Sequence, residues 1–168
     1  LGGNVKLGAN YNIDNHHNVF ANMGYISNVP KFKNGAFMSA NTSHAINPDA
    51  KNEQILSAEL GYGYHNSWIN LKLNGYITNW KDKAMFKKGS FANKEQYVIN
   101  MTGVDALHMG VELEAFIRPT RWLDIAAMLS IGDWRWASKS AKGYAYDLYG
   151  NALTSDGEIT SVGADNHA

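Results

Sequence analysis

Hydrophobic and polar residues alternate along most of the 168-residue chain, with the period of two that is typical of half-buried β-strands. Six segments of ten residues or a little more show this alternation most clearly. They are about 5–14, 18–27, 56–65, 69–80, 109–118 and 122–133. Strands of soluble proteins usually have about five or six residues, whereas a tilted strand that crosses a bilayer needs about 9–11. The pattern therefore predicts long antiparallel strands, of the length that a membrane β-barrel requires.

The connections between these segments alternate between short and long. Turn-forming residues join the strands in pairs at 15–17, 66–67 and 119–121. The other connections are long and cover 28–55, 81–108 and 134–168. Because successive strands run in opposite directions, all short turns lie on one rim of the sheet and all long connections on the other. Outer-membrane barrels have this asymmetry, with short periplasmic turns and long outer loops, whereas compact soluble domains rarely contain long structureless loops.

Each segment has an apolar face and a polar face. The apolar face consists of alternate residues starting at Val5, Val19, Leu56, Ile69, Met109 and Leu123, and it carries no charge. The polar face carries Lys6, Asp14, Glu59, Lys72, Glu112, Glu114, Arg118 and Asp124. An Arg or Lys that faces lipid at mid-depth costs about 2–4 kcal/mol, which would explain why charges avoid the first face.

The same alternation suits a soluble β-barrel or sandwich whose apolar face points inward. Charge content does not separate the two, since the polar face is charged to the extent of an ordinary soluble surface. Strand length, loop asymmetry and the aromatic residues near strand ends favour the membrane barrel, whose interfacial girdles lie at such positions. These aromatic residues are Tyr62, Tyr64, Trp68, Trp80, Trp122, Trp134 and Trp136.

Composition excludes several functions. Lys+Arg and Asp+Glu are both 15, so no net charge attracts nucleic acid. Without cysteine there is no disulfide framework, cysteine–zinc site, iron–sulfur cluster or thiol nucleophile. The longest apolar run, Ile125–Leu129, is far shorter than the roughly 20 residues of a membrane helix. Nucleotide-binding and serine-nucleophile motifs are also missing. We therefore expect that the protein is not an enzyme and that it binds no cofactor and no metal.

The two ends suggest that the chain is part of a longer protein. It begins at Leu1 with neither an initiator methionine nor the pattern of a signal peptide, and it ends in a polar stretch over 157–168. Lipid tolerates no open sheet edge, and single-chain bacterial barrels start at eight strands. We expect the remaining strands of a closed barrel to come from beyond both ends.

Several stretches in order resemble the barrel of TonB-dependent outer-membrane receptors, of the kind found in Bacteroidota. They are Val19–Ser27 followed by Pro30 and Phe32, Asn47–Glu53 leading into Ser57–Tyr62, Asn74–Asp82, and Gly103–Glu114 followed by Trp122 and Leu123. Each motif is weak alone, whereas the succession is fairly specific and covers residues 5 to about 136. Two departures are Asn28, where members often carry arginine, and Ala50, which replaces the usual leucine.

The resemblance implies an all-β fold. It makes residues 1–168 an up-and-down antiparallel meander of six long hairpin-connected strands, in the later part of a 22-stranded transmembrane barrel. It also implies a receptor in the cell outer membrane that imports a scarce solute: a ferric siderophore, cobalamin, a glycan or a peptide. The implied partners are the rest of the barrel, a plug domain, membrane lipid and TonB–ExbB–ExbD; no plug or TonB box is recognisable in the chain. A passive porin-like barrel and a soluble small-ligand-binding domain remain the alternatives.

Candidate binding residues lie on the polar face and near the long connections. Four charged residues of the polar face could be lumen groups that contact the plug or the solute. Alternatively, they are ordinary charges that are solvated or paired. They are Glu59, Lys72, Glu112 and Glu114. Near the long connections, Tyr25, Phe32, Phe37 and Trp80 could stack on a sugar or a siderophore, or anchor the barrel at the interface. His16 and His17 are adjacent on a turn without a third ligand, so the sequence predicts no metal site there.

Overall fold

The computed structural model describes residues 1–37, 47, 49–90, 96–138, 142–147, 153 and 158–160. These residues form one antiparallel β-sheet and a single π-helical turn at Phe32–Ala36. The strands are β1 (Gly3–Asn12), β2 (His17–Asn28), β3 (Glu53–His65), β4 (Ile69–Ser90), β5 (Gln96–Thr120), β6 (Leu123–Trp136), β7 (Lys142–Asp147) and β8 (Glu158–Thr160). Within the described residues, no helix is long and apolar enough to cross a membrane.

The strand order confirms the predicted all-β meander. Each strand from β1 to β5 pairs with the next, and β6 pairs with β5. β5 is 25 residues long and has two partners on its second edge: β6 pairs with Ala106–Thr120 and β7 with Tyr97–Thr102. β8 continues the sheet beyond β7. The turns after β1, β3 and β5 are short and share one end of the sheet, which we call the short-turn rim; the opposite end is the long-connection rim.

The register of the sheet confirms the two faces. Directly opposed residues of an antiparallel pair point to the same side. One row of the apolar face joins Leu7, Met23, Ala58, Ile77 and Met109 and ends at Asp133 on β6. The next row but one joins Tyr11, Val19, Tyr62, Leu73, Leu113 and Leu129. On β5 the apolar band runs from Met109 to Ile117, about 27 Å along the strand. This length is comparable with the roughly 25 Å band of membrane barrels.

The segment 81–108, which we predicted to be a long loop, is mostly β-structure, so that prediction is wrong. The predicted loop over 134–168 likewise contains the end of β6, together with β7 and β8. β4 continues to Ser90 and β5 begins at Gln96, which extends the hairpin far past the apolar band. Two register shifts follow Trp80, and the backbone there includes Asp82 with φ 54° and Gly103 with φ 75°. A bulge inserts an extra residue and breaks the two-residue period, which is why alternation did not reveal these strands. We call the hairpin beyond Trp80 and Ala106, together with β7, the extension.

Side chains are buried only in part of the sheet. Among the described residues, the buried hydrophobic side chains are Val104, Ala106, Ala145 and Tyr146, all of which lie in or at the base of the extension. Burial raises the pKa of the Tyr146 phenol. Large side chains of the apolar band are exposed instead, for example Leu60 at 68%. The band therefore lacks a hydrophobic covering that the extension has.

The tryptophans of the long-connection rim lie on the polar face, whereas an interfacial girdle would be expected on the apolar face. Trp80 opposes Ala106 and Ala106 opposes Trp136, while Trp134 opposes His108, all in rows of the polar face. Trp68 and Trp122, at the short-turn rim, are exposed and stay compatible with an interfacial position.

Candidate functional site

The middle of the polar face brings two of the predicted carboxylates together. Glu59 lies between Asn22 and Tyr76 in one cross-strand row, and Glu112 lies between Asn74 and Ser130 in the next. The Asn22 side chain donates a hydrogen bond to Glu59 Oε2 at 3.0 Å. Ser130 Oγ donates a longer one, 3.5 Å, to Glu112 Oε1.

Lys72 and Glu114 face each other one row closer to the short-turn rim. The Lys72 ammonium lies 5.4 Å from the centre of the Phe20 ring, in cation–π range. Among the described residues, no ion pair within 4.0 Å joins it to Glu114. Lys72 and Glu114 therefore lie opposite each other on neighbouring strands, but they do not form a salt bridge.

A groove of about 680 Å³ lies at this part of the sheet, and Leu7, Met23 and Ala58 of the apolar rows line it together with polar residues. Its lining includes Lys6, Asn22, Glu59, Asn74, Tyr76 and Glu112. Asn74 is only 9% exposed, and its Oδ1 atom has no hydrogen-bond partner among the described residues. A buried amide oxygen without a partner costs free energy unless a ligand, water or another polypeptide segment supplies a donor.

Tyr76 lines the groove, and Trp134 of β6 contacts Tyr76. Trp134 Nε1 donates a hydrogen bond to the Tyr76 hydroxyl at 3.0 Å. The Trp134 ring covers Gly132, where an added Cβ would come within 2.5 Å of ring atoms, and the Tyr76 hydroxyl covers Gly110. Glycine at these two positions lets both side chains lie close to the backbone of the sheet.

Trp80 belongs to a separate polar cluster where β4 enters the extension. We call Glu53, Trp80 and Lys83 the junction cluster. Trp80 Nε1 donates to Glu53 Oε1 at 2.6 Å, and the Lys83 ammonium lies 4.0 Å from the same oxygen. That ammonium also lies 3.4 Å from the centre of the Trp80 ring, so it occupies one face of the indole.

The bulge beside the junction cluster is held by Asp105. Its Oδ1 atom accepts the backbone N–H of Asp82 at 3.0 Å, and Lys51 pairs with Asp82 at 3.9 Å. The Asp105 N–H donates to Ser138 Oγ, which is buried. These bonds fix the left-handed backbone of Asp82 and tie the β2–β3 connection and the segment after β6 to the extension.

Phe37 lies apart from the predicted charges. Its ring stacks on Phe32 with centroids 6.2 Å apart, next to the π-helical turn, which packs against β4 and β5. Buried Asn47 holds this turn, since its side chain donates to Gly35 O at 3.0 Å and its N–H to Ala36 O at 2.8 Å. We did not predict a role for Asn47; the Asn-Pro-Asp turn signal at 47–49 could have pointed to it.

The short-turn rim is held by an acidic turn residue. The Oδ1 atom of Asp14 accepts the backbone N–H groups of His16 at 2.7 Å and His17 at 2.8 Å. These bonds, the one from His16 first, hold the pKa of Asp14 below its ordinary value. His17 Nδ1 lies 2.5 Å from the Tyr62 hydroxyl. In the described part of the chain, no three His, Asp or Glu side chains are grouped as metal ligands.

Comparison with known protein families gives a match over nearly the whole chain. Residues 3–166 match the family described as "TonB dependent receptor-like, beta-barrel". No curated protein and no solved structure matches significantly.

Proposed function

Since the chain belongs to the TonB-dependent receptor β-barrel family, whose members are outer-membrane transporters, we propose that its sheet is a section of the barrel wall of an active importer. The apolar face contacts lipid and the polar face lines the lumen. Energy reaches the receptor through TonB, ExbB and ExbD, and a plug domain fills the barrel. The family supports TonB-dependent transport across the outer membrane.

The observation that carries the proposal is the continuity of the two faces across five strand pairs. A row such as Leu73, Leu113 and Leu129 is apolar on every strand, and the row on the opposite side that joins Asn74, Glu112 and Ser130 is polar. In water such an exposed apolar sheet would associate or aggregate. Lipid would prevent this association, because it solvates the apolar face. The hydrogen-bonding groups of the backbone are already satisfied by the pairing of the strands.

The long-connection rim faces the cell exterior in this proposal. Its long connections and the extension correspond to the outer loops of membrane barrels, and the short-turn rim lies at the periplasm. Phe37 and the junction cluster with Trp80 are then near the entrance. Glu59, Lys72, Glu112 and Glu114 are lumen groups that contact the plug or the passing solute. The solute is a ferric siderophore, cobalamin, a glycan or a peptide.

Neighbouring residues on β5 test the orientation of the two faces. The chain contains no cysteine, so single substitutions Val111→Cys and Glu112→Cys in the full-length receptor each add one thiol to this segment. A nitroxide attached at 111 in outer-membrane vesicles should be relaxed by oxygen dissolved in lipid, and one at 112 by a water-soluble nickel chelate. The reverse pattern, or equal access of the nickel chelate to both, would contradict the proposal.

Uptake assays test the energy requirement. Radiolabelled solute should accumulate in cells with TonB and fail to accumulate in an otherwise identical strain without it. Equal accumulation in both strains would support the passive porin-like alternative.

A further inference from the structure

The pair Tyr76 and Trp134, which we call the aromatic platform, is not explained by a role in the barrel wall alone. Tryptophan near a strand end is expected to point to the lipid interface. Trp134 instead lies on the polar face, hydrogen-bonded to Tyr76 and beside the groove that Tyr76 lines.

The platform presents an aromatic surface to the lumen. Close contact with Gly132 places one side of the Trp134 ring against the backbone of the sheet, and the residue is still 38% exposed. A flat, exposed aromatic ring held by a hydrogen bond at its edge is suited to stacking on another ring.

The groove beside the platform offers both acceptors and donors. Asn74 is nine-tenths buried, and its Oδ1 atom has no hydrogen-bond partner within the described residues. The Glu59 Oε1 atom remains available because Asn22 donates to the other oxygen. Tyr76 accepts the hydrogen bond of Trp134, so its own hydroxyl proton can be donated to a ligand.

The charges of the groove argue against an anionic ligand. Glu59 and Glu112 line it, and Lys6 is the cationic residue among the described lining residues. The Lys83 ammonium lies on Trp80 and near Glu53, so its charge is compensated in the junction cluster. A ligand that carries several negative charges, such as a ferric tris-catecholate, would meet two carboxylates and one ammonium in the groove, which disfavours its binding.

We propose that the aromatic platform and the adjoining groove bind a ring of an uncharged, polyhydroxylated solute, that is, a sugar unit of a neutral glycan. The ring stacks on Trp134 and its hydroxyl groups bond to Asn74, Glu59 and Tyr76. The inference rests on the proposed function and narrows its solute to one chemical class.

Binding to the full-length receptor tests this site. The probes are neutral hexasaccharides of glucose, mannose, galactose and xylose, with a ferric tris-catecholate as the anionic comparison, titrated into detergent-purified receptor by calorimetry. At least one hexasaccharide should bind. Trp134→Ala should weaken that binding about tenfold, and Trp134→Phe about threefold or less, since a stacking ring remains.

A matched control and a second variant separate binding from folding. Trp122→Ala removes a tryptophan that is 82% exposed at the short-turn rim and should leave the affinity unchanged. Asn74→Ala removes the buried acceptor and should also weaken binding. Heat-modifiable migration in gels checks that each variant folds as a barrel.

The possible outcomes distinguish this inference from the proposed function. Failure of all four hexasaccharides to bind, or equal affinity in folded Trp134→Ala, overturns the sugar site even where TonB-dependent uptake of another solute persists. Tighter binding of the ferric tris-catecholate also overturns it. A loss of thermal stability in Trp134→Ala without a change in affinity would assign the platform to the plug instead. Uptake that does not require TonB contradicts the proposed function itself.

Discussion

The apolar band and the extension are built from the same strands, β4 and β5, yet they are stabilised differently. In the band, side chains such as Leu73 and Leu113 are exposed, and the strands are joined mainly by the hydrogen bonds of the ladder. In the extension, Val104 and Ala145 are buried. The comparison teaches that the band depends on an external solvent for its side chains, whereas the extension supplies its own small core.

Specific contacts hold the boundary between the apolar band and the extension. It lies at the register shifts after Trp80, where the junction cluster and Asp105 bridge neighbouring strands. Bulges are common where a sheet must bend or change its surroundings. Here the bulge lies at the level where the apolar band ends, with Lys81 following Asn79 on the same side of β4.

The largest effect should come from placing a charge in the band. Leu113→Arg in the full-length receptor puts a guanidinium on the lipid face and should cost about 2–4 kcal/mol. Folding into lipid vesicles, followed by heat-modifiable migration and denaturant titration, measures this cost. Glu114→Arg introduces arginine at the next residue, which lies on the polar face of the sheet, and this variant should fold nearly as well as wild type. Equal losses for both variants would contradict our assignment of the faces.

A cavity in the extension should have the next largest effect. Val104 is 2% exposed, and Val104→Ala removes buried methyl groups at a cost of about 1–3 kcal/mol. Hydrogen exchange of the 97–106 backbone should accelerate, while that of the band stays unchanged. The control Val111→Ala truncates the same residue type on the lipid face, where lipid fills the space. Faster exchange throughout the sheet would show that the two regions are not separable.

Weakening the contacts between the apolar band and the extension should have a smaller effect on stability. Glu53→Ala leaves the indole N–H of Trp80 and the ammonium of Lys83 without their shared acceptor, at a cost of about 1–2 kcal/mol. Glu53→Gln keeps an acceptor for Trp80 and should lie between alanine and wild type. Hydrogen exchange at residues 80–83 measures the order. If glutamine were as disruptive as alanine, the ion pair rather than the indole hydrogen bond would dominate.

The smallest effect should be a pH dependence confined to the short-turn rim. Because the folded state lowers the pKa of Asp14, its stabilisation is present above the ordinary carboxyl pKa and disappears as pH falls through the lowered value. Exchange of the His16 and His17 amides, corrected for intrinsic rates, should therefore lose protection in acid. Asp14→Asn keeps an acceptor that does not titrate, so its protection should not depend on pH in this range. Equal acid sensitivity in the asparagine variant would exclude Asp14 as the cause.

The sequence predicted the band well, because the band follows from local alternation. Phases chosen separately for each segment agree across all the observed pairs of the band, and Glu59 and Glu112 do lie in neighbouring rows of one face. The burial of Asn74 and the contact between Tyr76 and Trp134 were not predicted. The contact joins residues that are 58 positions apart in the sequence. Alternation assigns a residue to a face, but it does not identify cross-strand partners.

By itself, the amino-acid sequence determined the strand type, the short turns, the division into faces and the family of this protein. All of these depend on interactions within a few residues or on which side of a strand a side chain lies. The tertiary structure decided the rest: the extension beyond Trp80, the contact of Trp134 with Tyr76 and the burial of Asn47 and Asn74. The physical reason is that a bulge resets the phase of a strand, and burial depends on segments that approach from elsewhere in the chain.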